Sequence, residues 1–184
     1  MTYDDALDLL NKHLHSDTLK KHCLATQAIM RELARCFEED EETWAIAGLL
    51  HDLDYELTKD TPAEHGRKTL ELLDGTDLSP AVKDAIVRHN AEALGLERLT
   101  RLDYALTCAE TITGLLVAAA LVHPDKKIAA VQVKSVKKRM KSKDFARSVN
   151  RDHILLCEKI HVPLDDFIAL SLKAMSSMAE ELGL

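Results

Sequence analysis

The chain has 184 residues, 46% hydrophobic and 30% charged, a composition typical of a globular domain large enough to bury a core. Its formal charge of −7 argues against general nucleic-acid binding, because phosphate backbones are bound by cationic surfaces. The four cysteines are widely spaced and form no Cys-x-x-Cys pair, which argues against a disulfide framework or a thiolate zinc site and favours a reducing compartment.

The acidic N-terminal stretch does not resemble a signal peptide. The longest apolar run, GLLVAAALV, is too short to span a bilayer. We therefore expect a cytoplasmic protein with no membrane-spanning segment. The sequence leaves open whether the chain forms a homo-oligomer.

Helical periodicity dominates the chain, and no segment is a convincing strand. Predicted caps are Asp17, Thr43, Thr61 before Pro62, and Ser79 before Pro80. The predicted helices cover residues 3–14, 17–37, 43–53, 61–75, 79–89, 100 or 102 to 123, 131–141, 150–160 and 164–182. The pattern predicts one all-α domain.

The charge is distributed unevenly. Residues 126–151 contain ten basic residues and one acidic residue, a net charge of +9, whereas the remaining 14 basic and 30 acidic residues give −16. Lys134, Lys137, Lys138 and Lys141 recur at spacings of three and four, so they share one helix face. Two interpretations stay open: a solvated helix face, or a positive rim that attracts an anionic substrate.

Several helices each place a metal-binding side chain on an otherwise apolar face. These residues are His22, the adjacent pair His51 and Asp52, His89, and Glu110. A single histidine in such a place is more often a hydrogen-bonded core residue, but the joint pattern favours a metal site. A buried Glu110 also requires a cation or strong donors. Imidazole and carboxylate ligands together suit one or two divalent ions of Fe, Mn, Zn, Co or Ni.

The order and spacing of these residues resemble the HD-domain superfamily of helical, metal-dependent phosphohydrolases. The resemblance covers about residues 19–122 and rests on His22, LLHDLDY at 49–55, EHG at 64–66, IVRHN at 86–90 and TCAE at 107–110. It implies a single HD-type helical domain over residues 1–184, with its metal-site core at 19–122. Additional C-terminal helices at 124–184 are expected to pack on the bundle and cover one side of the cleft.

By this resemblance, the first metal is held by His22, His51, Asp52 and Glu110. Glu110 stands where the family has Asp. In the dinuclear branch, Asp52 bridges to a second metal that His65 and His89 would hold. Asn90 follows at a position where some dinuclear subfamilies have a second histidine.

Two positions separate the branches of the superfamily. The mononuclear nucleotidase branch has a catalytic Glu where this chain has Tyr55, with Glu56 one position off, which argues against that branch. The overall pattern is similar to the HD-type diadenosine tetraphosphate hydrolases. Asp52 and Asp54 are the candidate catalytic residues. Asp54 stands where many family members have Gly after the His-Asp pair, and it is expected either to hydrogen-bond to a metal ligand from behind or to face the substrate.

The expected function is hydrolysis of a phosphate ester or anhydride, of a nucleotide by this resemblance, by metal-activated water. The expected partner is thus a small phosphorylated substrate, with Lys59, Arg67 and Arg88 as candidate phosphate ligands or, alternatively, exposed helix charges. A second interpretation is a metal- or ligand-binding regulatory HD module with reduced or no catalysis. Surface or capping roles are expected for the other histidines, at positions 13, 15, 123, 153 and 161.

Overall fold

A computed structural model describes all 184 residues, and the chain is all-α, as predicted. Two short 3₁₀ segments, Ile128–Ala130 and Leu155–Ile160, lie in the C-terminal third. The α-helices are α1 (Tyr3–His13), α2 (Asp17–Phe37), α3 (Glu41–Leu50), α4 (Tyr55–Thr58), α5 (Arg67–Leu72), α6 (Pro80–Arg88), α7 (Ala91–Leu94), α8 (Arg101–Leu121), α9 (Val133–Met140), α10 (Arg151–Ile154), α11 (Leu164–Ser176) and α12 (Ala179–Leu182).

Helices α2, α3 and α8 form the centre of the bundle. Every residue of α3 from Trp44 to Leu50 is buried, as is most of α8. Gly48 allows α3 to approach α2 closely, because a Cβ at this position would lie 2.8 Å from the Cα of Gln27. This contact between two backbones brings the C-terminal end of α3 next to the middle of α2, about one turn after His22.

Two predicted caps were off by one to three residues. Ser16, not Asp17, caps α2 through a hydrogen bond from the amide of Leu19. Asp40, not Thr43, caps α3 and accepts from the amide of Thr43 at 2.7 Å. In both places the earlier residue has the extended backbone that an N-cap requires, and the predicted residue already lies in the first turn. The cap Ser79 is confirmed, and of the two starts expected for the long apolar helix, Thr100 is the N-cap of α8.

The helix predicted from Thr61 to Gly75 is wrong in its first half. Residues 62–66 form turns, and α5 begins only at Arg67. Gly66 has a φ of 83°, outside the helical region, and its amide bonds to a side chain rather than to a preceding carbonyl. The predicted 164–182 helix is likewise interrupted after Ser176, and the predicted 150–160 helix continues as a 3₁₀ segment after Ile154.

Helix α8 is long and apolar enough to cross a membrane, but it is mostly buried in the bundle. It therefore has the surroundings of the core helix of a soluble protein. The C-terminal elements cover it: α10 and the 3₁₀ segment Leu155–Ile160 pack against α8, and α11 packs against α2.

Candidate metal centre

Four histidine rings from separate elements surround the carboxylate of Asp52. His22 comes from α2, His51 and His89 cap the C-terminal ends of α3 and α6, and His65 lies in the turns before α5. Their Nε2 atoms lie 3.6, 3.5, 3.2 and 3.5 Å from Asp52 for His22, His51, His65 and His89. His51 is fully buried, and the others are shielded from most solvent.

Each ring is oriented by a hydrogen bond at its other nitrogen. The Nδ1 partners of His22, His51, His65 and His89 are, in that order, the Thr113 hydroxyl (2.9 Å), the Gly48 carbonyl (2.8 Å), the Asp54 carboxylate (2.8 Å) and the Ile86 carbonyl. Because a carbonyl oxygen only accepts, the neutral rings of His51 and His89 are protonated at Nδ1 and have a lone pair at Nε2. The hydroxyl of Thr113 donates to a backbone carbonyl, so it accepts from His22 in the same way.

These lone pairs face one another in two pairs. The Nε2 atoms of His22 and His51 are 3.2 Å apart, and those of His65 and His89 are 2.9 Å apart. Two unprotonated nitrogens at these distances repel unless a proton or a metal ion lies between them. The donors of His22, His51 and Asp52 lie within 4.8 Å of one another, as do those of Asp52, His65 and His89. The donor set therefore fits one or two divalent ions with Asp52 shared.

Burial and charge separate the pKa values of the site. Burial lowers the pKa of His51 to about 3, so this ring is neutral at physiological pH. Burial opposes ionisation of Asp52, but the facing histidines, including a hydrogen bond from His65, hold its pKa well below the usual range. Burial also lowers the pKa of His65, but hydrogen bonds to Asp52 and Asp54 outweigh this and raise it to about 10. In the protein without metal, a proton on His65 thus supplies the positive charge.

Two adjacent clefts, of about 400 and 340 Å³, open onto the centre. One exposes His22 and the other exposes His65 and His89. Both are lined by Asp52, Tyr55, Glu110, Asn150 and His153. Their size suits a small ligand.

Comparison with protein families gives a match to the HD domain over residues 19–120, more than half of the chain. The chain belongs to the HD domain family. This is a family of metal-dependent phosphohydrolases, and the matched residues include all four histidines around Asp52. Comparison with curated proteins and with solved structures gives no match.

In this HD domain Asp54 holds His65 in place and does not line either cleft. Its carboxylate is fully buried and accepts from Nδ1 of His65, from the amide of Gly66 at 2.7 Å and from the amide of Thr69 at 3.0 Å. Of its two predicted roles, the one behind the ligands fits this burial, and a role in contact with substrate does not. Asn90 acts similarly, donating to the backbone carbonyl of His65 at 3.1 Å.

Glu110 lines both clefts but lies outside the two groups of metal donors. The hydroxyl of the adjacent Thr111 donates to its carboxylate, and burial raises the pKa of Glu110. The carboxylate of Glu110 is turned toward Thr111 and not toward His22, His51 and Asp52. Its role as the fourth ligand of the first metal therefore stays a prediction.

The three predicted phosphate-binding cations do not line either cleft. Lys59 and Arg67 are exposed elsewhere. Arg88 donates to the carbonyl of Glu97 and lies 3.8 Å from Asp103, so its guanidinium already has partners. Three lysines of α9 and Lys141 at its C-cap share one face, as predicted, and line a separate concavity with Val133 and Asp165.

Sequence reasoning missed a polar network beside the second cleft. Arg98 bonds to the backbone carbonyl of His89 (2.9 Å), to the hydroxyl of Thr107 (2.7 Å) and, through two bonds, to Glu92. Glu92 in turn lies 3.1 Å from Nε2 of His153, for which only a surface or capping role was expected. No motif marks these residues, because the partners of Arg98 lie six to nine positions away outside any regular helical spacing, and His153 is 61 positions from Glu92.

Glu56 also has a role that the sequence did not indicate. Its carboxylate accepts from the amides of His15 and Ser16, at 3.1 and 2.8 Å, at the start of the helix that carries His22. Glu56 therefore ties α4, directly after the His51–Asp52 pair, to α2.

Proposed function

We propose that the protein is a phosphohydrolase that uses one or two divalent metal ions to cleave a phosphate ester or anhydride of a small phosphorylated substrate, a nucleotide. The observation that carries the proposal is the set of four imidazole Nε2 atoms directed at one ionised, buried carboxylate, Asp52. A purely structural core would not need four imidazoles with their Nε2 atoms facing one another in pairs.

The residues divide into two ligand groups with one shared member. His22, His51 and Asp52 would hold one ion, and Asp52, His65 and His89 the other. A bound divalent ion lowers the pKa of coordinated water and neutralises phosphate oxygens. The chain itself orients every ring from behind, through hydrogen bonds at Nδ1, so that little reorganisation is needed when substrate binds.

The cleft walls favour a substrate whose negative charge is concentrated on one phosphate. Neither cleft is lined by Lys or Arg, and Glu92 and Glu110 contribute acidic side chains. Additional phosphates away from the metals would meet these acids. Tyr55 is 40% exposed at both clefts and offers an aromatic surface for a base. We therefore expect mononucleotides to be better substrates than dinucleoside polyphosphates, although the resemblance of the sequence to diadenosine tetraphosphate hydrolases points to the latter.

A reducing location, the cytoplasm, is part of the proposal. All four cysteines are free thiols, and three of them are buried. None lies in the donor groups, so they contribute neither a disulfide nor a metal ligand.

The test is a metal analysis of the protein expressed in metal-replete medium, together with a hydrolysis screen over mononucleotides and dinucleoside polyphosphates. His51→Ala and Asp52→Ala should each lose metal and turnover. The matched control is His15→Ala, which removes an exposed imidazole away from the centre and should change neither. Wild-type protein that contains no metal would overturn the proposal.

A regulatory module without catalysis is the second candidate, and the position of Glu110 favours it. The family's Asp is replaced here by a longer side chain that contacts Thr111. Glu110→Asp separates the two candidates. A large gain in turnover would indicate that catalysis has decayed in this chain, whereas a loss would identify Glu110 as a working ligand.

A further inference from the structure

A short segment of the C-terminal extension, residues 148–153, forms one wall of both clefts. Ser148 and Val149 line the cleft beside His22, and Asn150 and His153 line both clefts. We call residues 148–153 the wall segment. It lies outside the residues that match the HD domain, so the family does not account for it.

The wall segment sits tightly against α8. Val149 packs onto Gly114, where even a Cβ would lie only 3.1 Å from Cγ2 of Val149. Gly114 is one turn after Glu110, so this contact places the wall segment directly beside the centre. A larger residue at either position would push the wall away from the metal ligands.

One arginine holds the loop before the wall segment. The guanidinium of Arg151 donates to four backbone carbonyls, those of Ser142, Phe145, Ala146 and Val149. Four acceptors in one fork fix the path of the chain from the end of α9 to the cleft. The positive charge of Arg151 is therefore used within the loop and is not available to a substrate phosphate.

The far end of the wall segment is fixed as well. His153 lies 3.1 Å from Glu92, which is held by two hydrogen bonds from Arg98. Arg98 also binds the backbone of the metal-site residue His89. The wall and the ligands of the second group thus share one network.

We infer that Asn150 and His153 contact the substrate beyond its phosphate and determine which leaving group is accepted, with Arg151 as a positioning residue. The inference rests on the proposed function. The Oδ1 of Asn150 accepts from the amide of Asp152 at 3.0 Å, whereas its side-chain NH₂ has no hydrogen-bond partner within the protein. This group can donate to an uncharged acceptor, such as a carbonyl or ring nitrogen of a base.

The test uses the full chain loaded with Mn²⁺ and the substrates of the hydrolysis screen. Asn150→Ser keeps a side chain that caps α10 but removes the amide donors. We expect the KM for a mononucleotide to rise roughly fivefold, the effect of one lost hydrogen bond, with kcat nearly unchanged. The inhibition constant of inorganic phosphate should not change, because phosphate has no leaving group.

Two further variants separate a contact from a general loss of structure. Arg151→Lys keeps the positive charge but loses the guanidinium that bonds to four carbonyls. It should raise KM about as much as Asn150→Ser does and accelerate amide exchange over residues 142–150. The Mn²⁺ content should not change. Lys159→Ala, an exposed position of the same extension that lines neither cleft, should match the wild type.

Hydrogen exchange with a mononucleotide as probe gives a readout that does not need turnover. Binding should slow exchange in residues 148–153 of the Mn²⁺-loaded protein. Suppose that the protein turns over a mononucleotide, but that the nucleotide does not slow exchange in residues 148–153 and Asn150→Ser has the KM of the wild type. These results would overturn the inference and leave the proposed function standing. Slowed exchange without turnover would overturn the proposed function but support the wall as a ligand contact. If the protein shows neither turnover nor slowed exchange, the proposed function and the inference are both wrong.

Discussion

Nδ1 of His65 lies 2.8 Å from Oδ1 of Asp54, and this hydrogen bond decides which ring nitrogen faces the metal centre. The other oxygen of Asp54 accepts from the amides of Gly66 and Thr69, so one carboxylate fixes both the ring and the turn that carries it. Nε2 of His65 is thereby directed to Asp52. A carboxylate behind a ligating imidazole orients the ring and raises its basicity.

Asp54→Asn should weaken the second ligand group. An asparagine must direct its NH₂ either at Nδ1 of His65 or at the amides of Gly66 and Thr69, all of which donate. We expect the affinity for Mn²⁺ in this group to fall by about 10- to 100-fold, while the group of His22 and His51 keeps its ion. Titration calorimetry and metal content measure this.

The matched control for that substitution is Asp60→Asn, an exposed carboxylate a few residues away. It should bind Mn²⁺ like the wild type. An unchanged affinity in Asp54→Asn would contradict the assignment of His65 as an oriented ligand.

His65 should make the metal-free protein less stable as the pH rises. Its pKa is raised from 6.5 to about 10 in the folded chain, so between these values the folded state binds more protons than the unfolded state. Its contribution is complete below pH 6.5 and is lost as the pH rises to about 10. Urea unfolding with a chelator at pH 6.5, 8 and 9.5 measures the slope, which His65→Gln should flatten. Equal slopes in both proteins would contradict the raised pKa.

Much of the fold and of the candidate site was predictable from the sequence. The long apolar sequence of α8 and the Ser79-Pro80 cap of α6 follow from local rules, and the structure confirms both. His22, His51, Asp52, His65 and His89 were singled out by type, order and a family resemblance, and the structure brings their donor atoms together. Such residues are predictable because each must occupy a fixed place on its own helix or turn.

The remaining features depend on contacts between distant segments, which no local pattern encodes. Arg88 was a candidate phosphate ligand or, alternatively, an exposed helix charge, but it bonds to the carbonyl of Glu97. His153 was expected to have a surface or capping role, yet it reaches Glu92 across 61 positions. The packing of α10 and of Val149 against α8 brings the C-terminal extension to the clefts.

Glu92 should stabilise the protein above pH 4.5 and lose that effect in acid. Two hydrogen bonds from Arg98, at 2.7 and 2.8 Å, lower its pKa to about 2. Because the folded-state value is lowered, the contribution disappears as the pH falls from 4.5 toward 2. Its side chain is more than half exposed, so solvent screening keeps the effect small.

Thermal unfolding of wild type and Glu92→Gln between pH 2 and 6 checks this expectation. The two melting temperatures should differ at pH 6 and converge in acid. Glu97→Gln, an exposed neighbour, should show a difference from the wild type that does not vary with pH. A difference for Glu92→Gln that persists unchanged at pH 2 would rule out the ion pair as its cause.

Gly48→Ala should damage stability and the metal centre together. The new Cβ would lie 2.8 Å from the backbone of Gln27, so α3 must move away from α2, at a cost of about 1–3 kcal/mol. Because the carbonyl of Gly48 also binds Nδ1 of His51, the separation of His51 from His22 changes, and Mn²⁺ affinity should fall. Gly75→Ala, at a φ of 76° with nothing within 4 Å, should lose roughly 1–2 kcal/mol but keep wild-type affinity. If both variants bound Mn²⁺ equally well, the contact between the two helices would not set the geometry of the first ligand group.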